Sequence, residues 1–230
     1  MDKLKNYINC INFDNTNIKH IKIDIGLGQF NINSENWIQN ESNLMVIAFE
    51  PNNDCISSTN NIIQYNLNNN KTNSFYTIPI ALNNVEHPIE MEFYKLLNDP
   101  GVSSLYEPSN IFGPIKEKIS VPVYSLKHFF DLFPFEKFPY IEYIKIDAQG
   151  SDLNILKSAG KYLSERVVYV TAEPEHTFYK NIEDNTTENF DIYMNSQNFV
   201  RINHPKTKDP TYINNNFIHL KDVIYIYQSN

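Results

Sequence analysis

Residues 141–160, IEYIKIDAQGSDLNILKSAG, decide the fold. A short β-branched run, Ile141–Ile146, closes on the acid Asp147. A turn through Gly150 follows, and Ser151–Leu163 then spaces Leu153, Leu156, Ala159 and Leu163 as the buried stripe of a helix. Strand, acid, turn and helix in that order form half of a β–α–β unit. Such units build parallel sheets covered on both faces.

Working outward, the same grammar recurs. His20–Ile25 (HIKIDI) ends at Gly26 and Gly28, and Asn33–Gln39 then offers a short helix with Trp37 and Ile38 on its apolar side. Leu44–Phe49 (LMVIAF) closes on Glu50-Pro51-Asn52. Phe75–Leu82 (FYTIPIAL) carries a proline that marks a strand end or edge. Ile89–Tyr94 alternates like a half-buried strand, Asn98–Asn110 is a polar loop, and Ile119–Val123 is another short strand. A helix over Ser125–Leu132 takes Ser125 as its cap. Val167–Thr171 is a strand closing on Glu173, and Phe199–Asn203 pairs with Val223–Tyr227 as a closing hairpin. The expected fold is α/β and Rossmann-like: a mainly parallel central sheet, helices on both faces, and an antiparallel C-terminal strand. Residues 1–230 read as a single domain with its recognisable core at about 21–176.

Composition narrows the function. The 230 residues carry a net charge of −8, which disfavours a polyphosphate partner. Only Arg166 and Arg201 are arginines. Asparagine makes up about one residue in seven. That is the drift an AT-rich genome produces, and runs such as Asn68–Asn70 and Asn214–Asn216 read as surface loops. No apolar run approaches a bilayer span, the start is neither a secretory signal nor a transit peptide, and Cys10 and Cys55 are too few for a disulfide framework. The chain reads as soluble and cytoplasmic.

Three strands end on acids: Asp24, Glu50 and Asp147. Ligands of open α/β sheets bind outside the carboxyl ends of the strands, so these carboxylates are placed to line one crevice. Gly26 and Gly28 let backbone approach a ligand closely. Glu50 stands where an acid accepts hydrogen bonds from both ribose hydroxyls of an adenosine. A dinucleotide fingerprint needs a third glycine where Asn31 stands, so an adenosine without a pyrophosphate fits better, and S-adenosylmethionine is the common one.

IDIGLGQF, VIAFEPN, IPIAL, the GVSSL loop, VPVYSL and IKIDAQGSDLNILKSAG follow in that order, from about Ile21 to about His176. In this the chain resembles the FkbM-like methyltransferases. The most specific parts are AFEPN and the K-x-D-x-[EQ]-G-x-[DE] stretch at Lys145–Asp152. Leu27 and Gly28 depart from the family's Ala-Asn, Phe30 from its last glycine, and Gln149 from the commoner Glu.

The resemblance implies an S-adenosylmethionine-dependent O-methyltransferase acting on a hydroxyl of a sugar, glycolipid or polyketide-type acceptor. By position it assigns Asp24, Gly26 and Gly28 to the methionine side and Glu50 to the ribose. Pro51 and Asn52 fall beside the adenine, Ala81 and Leu82 give backbone contacts to the base, and Asp147 lies under the transferring methyl.

Asp147 and His176 are candidates for removing the acceptor's proton, or Asp147 only orients the cofactor. Lys145 shares a face with Asp147 and either stabilises an acidic neighbour, contacts substrate or makes a structural ion pair, and Glu173 is a further candidate for substrate contact. Asp147 and Glu173 on adjacent strand ends form a weak candidate pair for magnesium. Ser103 and Ser104 either belong to an acceptor-binding lid or lie in an ordinary loop. The expected acceptor is a small sugar or nucleotide-sugar-class molecule, with no nucleic acid or membrane partner and a possible homodimer. The competing readings are a non-catalytic methyltransferase-like binding module and an RNA 2′-O-methyltransferase.

Overall fold

A computed structural model describes residues 2–29, 32–69, 72–109, 113–204 and 207–221. The chain begins with α1 (Asp2–Asn9) and then alternates: β1 (His20–Ile25), α2 (Ile32–Asn40), β2 (Leu44–Phe49), α3 (Asn53–Asn69) and β3 (Ser74–Ile78). β4 (Ala81–Leu82), β5 (Ile89–Leu96) and β6 (Ile115–Tyr124) follow, then α4 (Leu126–Phe130) and β7 (Ile141–Ile146). The remainder is α5 (Asp152–Ser158), α6 (Tyr162–Arg166), β8 (Val167–Ala172), α7 (Thr187–Ser196), β9 (Phe199–Ile202) and β10 (Thr211–Asn214).

Seven strands form the central sheet in the order β3-β2-β1-β7-β8-β10-β9. The pairings from β3 to β8 are parallel, and β10 runs antiparallel to both β8 and β9. Chain order reverses between β1 and β7, so the ligand-binding switch point lies outside their carboxyl ends. β4, β6 and β5 form a separate three-stranded sheet beside that edge.

β1 shows why the sequence folds this way. Ile21, Ile23 and Ile25 enter the larger core with Phe49, Phe129, Leu153 and Leu156. The alternate residues, Lys22 and Asp24, are also buried, at 0% and 1% exposure. A buried charge needs a partner. Lys22 Nζ lies 2.6 Å from Glu41 Oε1 and over the Trp37 ring, while Asp24 accepts from Ser34 Oγ. The alternating pattern of HIKIDI therefore marks one apolar face and one paired-charge face, both covered.

Three expectations change. Phe75–Leu82 is two strands in two sheets, because Pro79 interrupts the ladder between β3 and β4. The helix over Ser151–Leu163 is α5 and α6, broken at Gly160, whose φ of +56° ends the first turn set. β9 pairs with β10, and Val223–Tyr227, its expected hairpin partner, lies outside the described residues. Asn214 is not a loop residue: it is fully buried in β10, and its amide donates to the Ser164 and Val167 carbonyls at 2.8 Å each. Buried Asn73 and Asn185 likewise bridge backbone groups of separate elements. Ser125 caps α4, accepting from the His128 N–H.

Candidate active site

A cleft opens at the switch point. Its floor and walls come from the ends of β1, β2 and β7: Gly26, Gly28, Phe49, Glu50, Pro51, Asp147, Gln149 and Ser151. Its roof comes from β4, β5 and the 97–105 segment, through Ala81, Leu82, Phe93, Pro100, Gly101, Ser103 and Leu105.

The turn after β1 brings backbone to the ligand side. Gly26 has φ +77°, and a Cβ there would lie 1.8 Å from the Asp147 carbonyl oxygen. Gly28 has φ +63°, and its N–H donates to Glu50 Oε2 at 3.1 Å. Glu50 Oε1 accepts from the Asn52 N–H at 2.7 Å. The carboxylate is therefore fixed at both oxygens, each with a second lone pair remaining. Burial pushes its pKa up to about 7, against the pull of those two N–H groups.

Asp24 and Lys145 are register partners on adjacent parallel strands, so their side chains share a face. Lys145 Nζ lies 3.7 Å from Asp24 Oδ1, 3.3 Å from Asp147 Oδ2 and 3.3 Å from the Gly26 carbonyl. Lys145 thus ties the two strand ends and the glycine turn together beneath the cleft. Burial opposes its charge, but Asp147 and Asp24 outweigh that and raise its pKa.

Asp147 lines the cleft with its side chain about a third exposed. Burial raises its pKa, yet Lys145 and the hydrogen bonds from Glu173 and Gln149 hold it below the ordinary carboxylate range. Glu173 behaves oppositely: burial and then the Asp147 charge push it up to about 9. The two carboxyls thus shift in opposite directions, the Asp147 charge favouring the protonated form of Glu173. Gln149, at φ +53°, donates from Nε2 to Asp147 at 2.5 Å and to Glu173 at 3.2 Å. Its Oε1 lies 2.7 Å from Tyr179 OH. Asp152, pushed by burial to about 7, accepts from the Ala148 and Glu173 N–H groups.

Of the residues singled out by sequence, Gly26, Gly28, Glu50, Pro51, Ala81, Leu82, Ser103 and Asp147 line the cleft. Asp24 and Lys145 lie beneath it. Asn52 is buried, and its Oδ1 accepts from the Asp54 N–H to cap α3. Ser103 and Ser104 are buried rather than displayed on an open lid. Ser103 Oγ accepts from the Leu96 N–H, and Ser104 Oγ donates to the Gln149 carbonyl at 2.7 Å. Glu173 reaches Asp147 from outside the cleft lining, and His176 is exposed on the following loop, also outside that lining. Among the described residues, no group of three or more His, Cys, Asp or Glu side chains is placed to hold a metal ion. No helix among them is long and apolar enough to cross a membrane.

Phe93, Leu105, Gln149, Ser151 and Tyr179 did not stand out as site residues in the sequence. Gln149 and Ser151 sit inside the most specific motif, where position alone pointed at them. Tyr179 gave no local signal.

Three carboxyls that stay protonated to unusually high pH have a measurable consequence. Between the ordinary carboxylate range and about 7 for Glu50 and Asp152, or about 9 for Glu173, the folded state binds protons the unfolded chain has lost. Stability therefore falls as pH rises through that window. Thermal denaturation at pH 6.0 and 8.5 (roughly either side of the first two groups) should give the lower midpoint at the higher pH. Glu173→Gln should shrink the difference.

A mainly parallel α/β sheet with a cleft at its switch point, an acid ending β2 and an acid ending β7 define a Rossmann-like methyltransferase domain. The chain belongs to the family described as the methyltransferase FkbM domain, whose model matches residues 16–201. No curated protein matches the sequence. Two solved structures are similar to it at low identity. The human methyltransferase 10 domain containing protein is 10% identical, with 91% of this chain and 76% of that one covered and a TM-score of 0.40. The delta-N METTL16 MTase domain is 10% identical over the same shares, with a TM-score of 0.42. Family membership implies S-adenosylmethionine-dependent methyl transfer.

Proposed function

We propose that the protein is an S-adenosylmethionine-dependent O-methyltransferase acting on a hydroxyl of a small acceptor of the sugar class. The observation that carries the cofactor reading is Glu50, a carboxylate buried at the cleft wall, fixed by two backbone N–H groups and retaining an acceptor site on each oxygen. It fits a ribose diol. Pro51, Ala81 and Leu82 give the adjoining apolar wall that a base requires, and Gly28 leaves the close approach open. When bound, the cofactor supplies a methyl group on a sulfonium, already an excellent leaving group.

The chain's own contribution is then positioning, which supplies on the order of 7–11 kcal/mol in well-oriented reactions. Asp147 is the ionised carboxylate on the cleft wall, and in this reading it orients the acceptor hydroxyl and takes its proton as the new bond to carbon forms. Glu173 lies outside the cleft lining, and burial and the Asp147 charge favour its protonated form, so this reading gives the role to Asp147. The net charge of −8 and the scarcity of arginine favour a small uncharged acceptor over a nucleic acid.

The test is a thermal-shift and calorimetric titration with S-adenosylhomocysteine. Ligand at about 100 times its dissociation constant should stabilise the wild type by roughly 2.7 kcal/mol. Glu50→Gln should weaken binding by on the order of tenfold to a hundredfold, since hydrogen bonds to a charged acceptor are lost. Ionised Glu50 is the better acceptor for two hydroxyls, so wild-type affinity should rise as pH passes through about 7, and Glu50→Gln should abolish that rise. Folded, ligand-free wild type that binds no S-adenosylhomocysteine would overturn the reading.

A further inference from the structure

The polar side chains lining the cleft include Glu50, Ser103, Asp147, Gln149 and Ser151. Glu50 is held by Gly28 and Asn52, Ser103 by Leu96, and Asp147 and Gln149 by each other. Ser151 differs. Its residue is 1% exposed, and its Oγ has no hydrogen-bond partner. Leaving a buried hydroxyl unpaired costs on the order of 1–3 kcal/mol, and such a group in a native fold calls for an explanation.

The obvious structural use of this serine is already filled. Ser151 stands at the N-cap of α5, where a serine ordinarily accepts from the N–H two or three residues on. Here its side chain makes no capping bond, and the Leu153 N–H is taken by Asn185 Oδ1 from across the loop. Asp152 accepts from the Ala148 and Glu173 N–H groups and so fixes the turn. The hydroxyl of Ser151 is thus relieved of the cap, in a residue that lines the cleft.

Its position on that wall selects the part of the ligand. Glu50 ends β2, and Ser151 follows β7, with β1 between them. Two strand spacings, about 10 Å, separate these positions across the sheet. A ligand whose ribose sits on Glu50 therefore presents its other end, beyond the sulfur, to the side of Ser151, Asp147 and Gly26.

We propose that Ser151 is a cofactor-binding residue whose hydroxyl hydrogen-bonds the amino-acid end of the S-adenosyl ligand. The assignment rests on the cofactor reading of the cleft above.

The test compares two ligands on two proteins. S-adenosylhomocysteine carries the amino-acid end, whereas 5′-methylthioadenosine keeps the nucleoside and sulfur without it. Ser151→Ala should bind S-adenosylhomocysteine roughly tenfold or more weakly, and 5′-methylthioadenosine as the wild type does. Ligand-free Ser151→Ala should melt at the wild-type temperature or above it, because an unpaired buried hydroxyl is removed. Unchanged binding of S-adenosylhomocysteine by Ser151→Ala overturns the assignment while leaving the cofactor reading intact. Equal weakening of both ligands, or a lowered melting point of the ligand-free variant, shows a structural hydroxyl and overturns it too. If the wild type binds neither ligand, the cofactor reading itself fails and this assignment falls with it.

Discussion

Gly26→Ala should lower the melting temperature by on the order of 10 °C or prevent folding outright. Two independent costs combine. The backbone at residue 26 has φ +77°, a region an L side chain enters at a cost of roughly 1–2 kcal/mol. The added Cβ would also sit 1.8 Å from the Asp147 carbonyl oxygen and 2.6 Å from its carbon, which are backbone atoms and not the end of a flexible side chain. Relief requires the ends of β1 and β7 to part, yet the Asp147 N–H donates to the Ile25 carbonyl at 2.9 Å to hold them together. A loss of about 4 kcal/mol would be a large share of a typical domain's stability, and at this size each kcal/mol moves the midpoint by roughly 2–4 °C. Gly28→Ala is the control: its φ is also positive, but its Cβ would meet nothing within 4 Å. It should cost far less in urea or thermal denaturation.

Lys145→Met should destabilise the fold by roughly 3–5 kcal/mol, the usual result of removing one partner of a buried ion pair. The residue left behind is the problem. Asp24 is 1% exposed, its Oδ2 accepts only from Ser34, and its Oδ1 has no hydrogen bond and depends on the Lys145 charge 3.7 Å away. Burial already raises the Asp24 pKa against that charge. Without the lysine, the folded state will favour protonated Asp24, so the loss should be smaller at about pH 5 than at about pH 8. Adding Asp24→Asn should recover much of the loss, and a double-mutant cycle by denaturant titration would measure the coupling. An additive cycle would show that Lys145 acts through Asp147 and the Gly26 carbonyl instead.

Local periodicity carried much of this fold. β1, β2, β7 and β8 were legible as short β-branched runs because each ends on an acid or a turn and has no room for a helical repeat. Ser125 was legible as a cap because capping is a contact within one turn. The residues that failed were those whose environment lies far along the chain. TYIN at residues 211–214 is too short and too rich in polar groups to announce a strand, and it becomes one because β8 and β9 offer edges on both sides. Asn73, Asn185 and Asn214 looked like compositional drift. Each is buried because an amide can pair two or three backbone groups that different elements leave exposed to one another. Gly160 was a visible helix stop that the Leu156–Leu163 spacing concealed.

The site divides in the same way. The sequence by itself determined that the chain is an alternating α/β domain, that Asp24, Glu50 and Asp147 end strands, and that a flexible glycine turn follows the first of them. These are properties of spacing and residue type, which a single segment contains. Only the tertiary structure decided that Asp24 sinks beneath the cleft while Glu50 and Asp147 line it, because that depends on register between β1 and β7 and on which face α2 covers. It also decided that Ser103 and Ser104 are bound into the roof and that Asp147 and Glu173 meet, the one held below and the other pushed above the ordinary carboxylate range. The unpartnered Ser151 hydroxyl belongs with these, because the cap it would have made is supplied from residue 185. Hydrogen bonding and desolvation act through space over a few ångströms, so they are fixed by which distant segments meet and not by the order in which their residues are joined.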